Sequence, residues 1–143
     1  MITGIHHTGL IVNDLNKLLP FYCDVLGMEV AVDLGLQDGP EVSLVMGVPG
    51  SKIKIVMLQM AGQIFELIQL LNPAGKPMPD DAKFAQVGHS HVAFRVKDID
   101  EVYASLKQKG VQFVCPPQVI PELKFFYLRD PEGNWIEMIQ PLI

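Results

Sequence analysis

The sequence has little positive charge and no long apolar run. Its 143 residues include 11 Lys and Arg against 16 Asp and Glu, for a formal net charge of −5, and the basic residues form no cluster. Because nucleic-acid binding needs a basic face, we expect no nucleic-acid partner. No apolar run approaches the ~20 residues of a membrane helix, so no membrane association is expected.

Cysteine is also scarce. Cys23 and Cys115 are far apart and form no C-x-x-C pattern, so we interpret both as reduced core residues, although the sequence leaves a disulfide between them open. The N-terminus lacks the basic start and apolar stretch of a signal peptide. These features predict a cytoplasmic protein. With 49% apolar and 19% charged residues, the chain has the composition of one globular domain.

The sequence does contain a long internal repeat. Residues 5–15 align with residues 89–99, so that His7 falls on His91, 84 positions later. A second match pairs Glu66 with Glu137, 71 positions later, in apolar surroundings. We predict a single domain over residues 1–143, made of module one (about 1–72), a Pro- and Gly-rich linker (73–87) and module two (88–143).

Both modules show the same order of patterns. The second histidine begins an alternating segment, His91–Val96, typical of a strand. Asp98 then matches a helix N-cap, with Glu101 completing a capping box, and Gly110 ends the apolar stripe of that helix.

Module one repeats the pattern. Asp14 is the predicted cap and Gly27 the end of its first helix, with Pro20 as an interruption. The fold class is therefore α+β, with two βαβββ modules. Asp130–Asn134 is predicted to be a tight hairpin turn. The remaining predicted strands are Glu29–Asp33 or Val42–Met46, Lys52–Leu58, Ile64–Leu70, Gln112–Cys115, Lys124–Leu128 and Asn134–Gln140.

The repeated polar residues predict a metal site. A carboxylate in an apolar strand is costly without a partner, and Glu66 and Glu137 each accompany a histidine in the first strand of their module. Two imidazoles and two carboxylates suit a divalent ion such as Zn, Ni, Co, Mn or Fe. We therefore predict His7, Glu66, His91 and Glu137 as metal ligands. His6 and His89 lack matching register, and we interpret both as non-ligands.

These residues resemble the vicinal oxygen chelate superfamily, which includes glyoxalase I, methylmalonyl-CoA epimerase, extradiol dioxygenases and bleomycin- and fosfomycin-resistance proteins. The matching stretches are Ile5–Leu15 continuing to Phe21–Met28, His91–Val96, and Asp130–Glu137. The resemblance implies one cupped, mostly antiparallel sheet, helices outside it and a metal in the cup.

The four candidate ligands indicate which members of the superfamily this chain resembles most. In glyoxalase I each module supplies one histidine and one carboxylate or amide, as the four residues here do. Extradiol dioxygenases and fosfomycin thiol transferases use two histidines and one glutamate, so Glu66 argues against both. Bleomycin-binding relatives generally lack the ligands. The linker resembles that of epimerases in Leu70–Gly75, but Pro49–Ser51 stands where those enzymes usually carry an acid.

The resemblance implies a glyoxalase-type isomerase or lyase acting on a small molecule through a metal-stabilised enediolate. Glu137 would remove a proton next to a carbonyl and Glu66 would return it. Arg95 is a candidate for binding an anionic substrate tail. Arg129 and Lys124 could do the same, but we interpret both as surface charges. A homodimer is expected, with the metal site within one chain or shared between two. The alternatives are an epimerase, an iron-dependent dioxygenase and a metal-free binding protein. Candidate apolar walls are Met57, Ile68, Ala93 and Ile139.

Overall fold

A computed structural model of the chain describes residues 1–77, 79, 87–88 and 90–143. The chain divides into two compact units, residues 1–77 and 78–143. Each unit contains its own hydrogen-bonded sheet of mixed strand direction and at least one helix. The predicted α+β class is therefore confirmed.

Module one forms a four-stranded sheet in the order β1-β4-β3-β2. The first strand lies parallel to the last, and the other pairs are antiparallel. A parallel pair requires a long crossover, which the intervening helical and strand segments supply. The elements are β1 (Thr8–Val12), α1 (Leu15–Pro20), a π-helical turn (Phe21–Val25), β2 (Glu29–Gln37), α2 (Pro40–Met46), β3 (Lys52–Met60) and β4 (Gln63–Asn72).

Module two repeats this topology. Its sheet has the order β5-β9-β8-β6, with one further short strand paired to β8, and its first and last strands are again parallel. The elements are β5 (His91–Arg95), α3 (Ile99–Gln108), β6 (Gln112–Phe113), β7 (Gln118–Ile120), β8 (Leu123–Arg129) and β9 (Trp135–Pro141).

Strand alternation separates a more buried face from a less buried one in each sheet. In β4 the buried side chains are Phe65 and Leu67, and Tyr22 packs on Phe65 with ring centroids 5.2 Å apart. In β8 Phe126 is fully buried, and its ring centroid lies 5.3 Å from that of Tyr103 in α3. Because successive residues of a strand point to opposite faces, the residues between these core positions face away from the helices.

In each module a glutamine side chain accepts a hydrogen bond at the start of the first helix, which the sequence did not predict. The side-chain oxygen of Gln69 accepts from the backbone N–H of Leu15 at 3.2 Å, and that of Gln140 accepts from the N–H of Ile99 at 2.8 Å. The two glutamines occupy equivalent positions in the repeat. Each last strand thus binds the first helical N–H group of its own module.

The predicted capping box in module two is wrong. Asp98 lies at a φ of 51° and its side chain makes no capping hydrogen bond. This left-handed backbone differs from the extended geometry of an N-cap residue. In module one the prediction is confirmed, since the Asp14 carboxylate accepts from the N–H of Asn16 at 2.9 Å.

Pro20 is accommodated by a change of helix type. The N–H of Phe21 bonds to the carbonyl of Leu18, and the N–H of Leu26 bonds five residues back to Phe21 at 3.0 Å. The missing proline N–H and the bulk of its ring disrupt α-helical bonding, and the wider π turn continues the helical path. The predicted stop at Gly27 is confirmed, with a φ of 82°.

Four further details differ from the sequence-based expectation. Of the two segments predicted as alternatives for a strand, Glu29–Asp33 lies in β2, whereas Val42–Met46 is helical, because Pro40 begins α2 and the left-handed Gly47 ends it. Strand β7 was not predicted. The strand expected at Gln112–Cys115 ends at Phe113. Cys23 and Cys115 are free thiols, but each is half-buried rather than in the core.

The predicted hairpin turn is confirmed. Asp130 is buried, and its carboxylate accepts from the backbone N–H groups of Glu132 and Asn134 at 2.9 Å and from the Asn134 side chain at 2.8 Å. These bonds fix the register of β8 against β9. In the described part of the chain, no helix is long and apolar enough to cross a membrane.

Replacing Gln140 with alanine should lower the free energy of unfolding by about 1 kcal/mol, because the N–H of Ile99 loses its acceptor. Urea unfolding followed by circular dichroism measures the change. The control is Gln108→Ala on the exposed surface of α3, which should stay within about 0.5 kcal/mol of wild type. Equal effects of the two substitutions would contradict the capping role.

Candidate metal centre

The first predicted pair of ligands lies side by side in module one. His7 immediately precedes β1 and Glu66 lies in the adjacent β4, directly across from Gly9. The Nε2 atom of His7 is 3.4 Å from Oε2 of Glu66, and their side chains are 35% and 12% exposed. The structure therefore brings these two predicted ligands together.

The second pair repeats this geometry in module two. His91 begins β5, and Glu137 in β9 lies directly across from Ala93. His91 Nε2 is 3.2 Å from Glu137 Oε2, with side chains 31% and 14% exposed. In both modules the histidine comes two residues before the residue that faces the glutamate, so the strand period of two puts both side chains on one face.

The donor atoms of each pair fit a metal ion. Two ligands at ~2.1 Å from one ion lie about 3.0 Å apart at an octahedral angle and about 3.4 Å apart at a tetrahedral one, and the nitrogen–oxygen distances of these pairs, 3.4 and 3.2 Å, agree with that range. An imidazole lone pair that faces a carboxylate this closely also requires a proton or a cation between them. Each pair could therefore supply two ligands, or form a histidine–glutamate ion pair.

In the structure, the four predicted ligands form two histidine–glutamate pairs, one in each module. Within the described residues, no group of three or more His, Cys, Asp or Glu side chains is placed to hold a metal ion.

Gly9 leaves room for the Glu66 carboxylate of the first pair. A Cβ atom added to Gly9 would lie 3.2 Å from Oε2 of Glu66, which is closer than ordinary packing. The glycine lets the carboxylate approach the neighbouring strand. Module two has Ala93 at the equivalent position, so the two pairs are not identical in shape.

His6 contacts His7 of the first pair. The sequence predicted that His6 itself is not a metal ligand. Its Nδ1 atom is 2.8 Å from Nδ1 of His7, so one of these nitrogens must donate to the other. If a metal bound Nε2 of His7, the proton of that imidazole would reside on Nδ1, and Nδ1 of His6 would accept a hydrogen bond from it. Its role as a non-ligand stays a prediction, and His89 lies outside the described residues.

Tyr127 adjoins both members of the second pair, and the sequence did not indicate it. It lies in β8 directly across from Glu137, its hydroxyl hydrogen-bonds to that carboxylate, and its ring meets the His91 ring at 5.4 Å. The available signal was the hairpin turn at Asp130–Asn134, because counting back from the turn places Tyr127 opposite the glutamate.

The other candidate residues divide by environment. Arg95 is exposed and lies across from Ile139 of the neighbouring strand β9. Its side chain is on the same face of the sheet as His91 and Glu137. Lys124 forms an ion pair with Asp100, and the guanidinium of Arg129 lies over the Trp135 ring at 4.9 Å. The last two are therefore engaged in contacts within module two. By strand alternation, Met57 and Ile68 share the face of the Glu66 carboxylate, and Ala93 and Ile139 that of Glu137.

The chain matches the family model of the Glyoxalase/Bleomycin resistance protein/Dioxygenase superfamily over residues 4–138, and it belongs to this superfamily. It is 30% identical to a probable lactoylglutathione lyase of Synechocystis sp., over 94% of this chain and 92% of that protein. The resemblance inferred from the repeated motifs is thus confirmed at the level of the superfamily.

Two solved structures share the fold. A glyoxalase family protein from Bacillus cereus aligns with a TM-score of 0.84 at 21% identity, over 100% of this chain and 97% of that one. A variant of the fosfomycin resistance protein FosX from Listeria monocytogenes, in complex with Mn(II) and a dihydroxypropylphosphonic acid, aligns with a TM-score of 0.64 at 22% identity, over 96% and 90% of the two chains.

Replacing Glu66 with glutamine should change the unfolding free energy of the metal-free protein by less than about 1 kcal/mol, because partly exposed ion pairs contribute little. The matched control is Asp130→Asn, which loses charge-assisted bonds in a buried turn and should cost about 1.5–3 kcal/mol. Chemical denaturation of both variants gives the comparison. A larger loss from Glu66→Gln than from Asp130→Asn would make the pair structural rather than functional.

Proposed function

We propose that this protein is a divalent-metal-dependent isomerase or lyase of the glyoxalase type, which moves a proton next to a carbonyl group of a small molecule. The observation that carries the proposal is the duplicated histidine–glutamate pair, held in the same register in both modules. The similarity to a probable lactoylglutathione lyase supports a thiol adduct as substrate.

The proposed ligands of the single ion are His7, Glu66, His91 and Glu137. Neutral imidazoles and carboxylates suit Zn, Ni, Co, Mn or Fe, and the complex of the related FosX variant with Mn(II) supports a metal at this kind of site. The proposal requires one pair from each module, either from one chain or from the two chains of a homodimer.

The two glutamates are the proposed proton-transfer groups. When bound, the ion would polarise the oxygens of the substrate as a Lewis acid. Glu137 would remove the proton next to the carbonyl, and Glu66 would return a proton on the other face. Both carboxylates are largely shielded from water, which strengthens their interaction with a developing charge.

Two observations support glyoxalase-type chemistry over the alternatives. The segment before β3, Pro49–Ser51, has no carboxylate to act as a second epimerase base, and the buried Ser51 hydroxyl donates to the carbonyl of Val48. In module one, Glu66 faces His7, whereas a three-ligand oxygenase would leave that position open. The glutamate therefore favours a four-ligand site.

Protein purified without chelator or a histidine tag should contain one divalent ion for each pair of modules. Elemental analysis, combined with the molar mass from light scattering, gives the number of ions per chain and tests for a homodimer. The matched control, His7→Asn/His91→Asn, should lose the ion because each pair loses its imidazole. Wild-type protein that binds no added divalent ion would overturn the proposal, and iron content with oxygen consumption would indicate a dioxygenase.

Glu137→Gln should keep the fold and reduce kcat by about 10²–10⁴-fold, because an amide cannot remove the proton. Turnover is measured with adducts of glutathione and other thiols with 2-oxoaldehydes, together with exchange of the substrate proton for solvent deuterium. Glu101→Gln on the exposed side of α3 is the control and should match wild type. Undiminished turnover or exchange in Glu137→Gln would exclude Glu137 as the base.

A further inference from the structure

The two histidine–glutamate pairs differ in the residue across from the glutamate on the neighbouring antiparallel strand. Met57 in β3 lies across from Glu66, whereas Tyr127 in β8 lies across from Glu137. A thioether has no proton to donate, and a phenol does. The duplicated pairs are therefore chemically unequal.

Tyr127 contacts both members of the second pair. Its hydroxyl hydrogen-bonds to Glu137, and its ring meets the His91 ring at 5.4 Å and 78°. On its other sides the ring packs against Trp135 at 5.7 Å and Phe125 at 6.3 Å. These aromatic neighbours restrict the ring, so the hydroxyl is held in a defined position next to the carboxylate.

The Tyr127 hydroxyl carries one O–H donor, and its hydrogen bond to the Glu137 carboxylate uses that donor. One lone pair of the carboxylate is thereby occupied, and the orientation of the group is restricted.

We propose that Tyr127 is a positioning residue that orients Glu137, and through ring contact His91, for metal binding. This inference rests on the proposed function. Carboxylate and imidazole ligands of metals are normally oriented by further hydrogen bonds, and loss of such a partner weakens metal binding by roughly 10–100-fold. From the equivalent position in module one, Met57 offers no such bond to Glu66. The second pair is thus the more rigid half of the site.

The test is Tyr127→Phe, which removes one oxygen and preserves the ring. Its dissociation constant for Co²⁺, measured by competition with a chromophoric chelator, should rise about 10–100-fold, and the visible spectrum of the bound Co²⁺ should change. Tyr103→Phe is the matched control, since that half-buried ring packs against Phe126, whose strand position faces away from Glu137. Its Co²⁺ affinity, spectrum and unfolding midpoint should equal those of wild type.

A double variant tests whether Tyr127 acts through Glu137. Once Glu137→Ala is present, adding Tyr127→Phe should cause no further loss of Co²⁺ affinity, because the group that Tyr127 orients has already been removed. Unfolding midpoints of all metal-free variants establish that each one folds. Wild-type affinity in Tyr127→Phe, or a full further loss in the double variant, overturns the inference while the proposed function stands. Failure of wild-type protein to bind Co²⁺ overturns both.

Discussion

In each module the first strand lies parallel to the last strand, and this pairing sets the geometry of the candidate site. The pairing places Gly9 across from Glu66 and Ala93 across from Glu137. A histidine two residues before the glycine or alanine then shares a face with the glutamate.

The last strand of each module serves the site and the helix at once. Glu66 and Gln69 are three residues apart, as are Glu137 and Gln140, so the two side chains of each strand point to opposite faces. The glutamate faces its histidine, and the glutamine binds the first N–H group of the helix. One short apolar motif therefore carries a candidate ligand and also anchors the element that covers the core.

Much of this arrangement could be predicted because its signals are local or repeated. The offset between His7 and His91 revealed the duplication, and the Asp130–Asn134 turn identified a hairpin. The helical state of Val42–Met46 depends on the flanking Pro40 and Gly47, which an apolar run alone does not reveal. Tyr127 was missed for a different reason. Its place beside Glu137 comes from strand register, which is found only by counting back from the Asp130–Asn134 turn; by residue type alone it resembles a core aromatic residue.

The parallel pairing also has a consequence for folding order. The β3–β4 and β8–β9 hairpins join strands that are neighbours in the sequence, whereas β1 reaches β4 only after the 50 intervening residues, 13–62, are folded back. Closing the longer loop costs more conformational entropy, and contacts of this separation slow folding. The histidine–glutamate pairs thus exist only in a module whose crossover is complete. An ion that binds them would select the finished fold over every partly folded form, and would stabilise it by mass action.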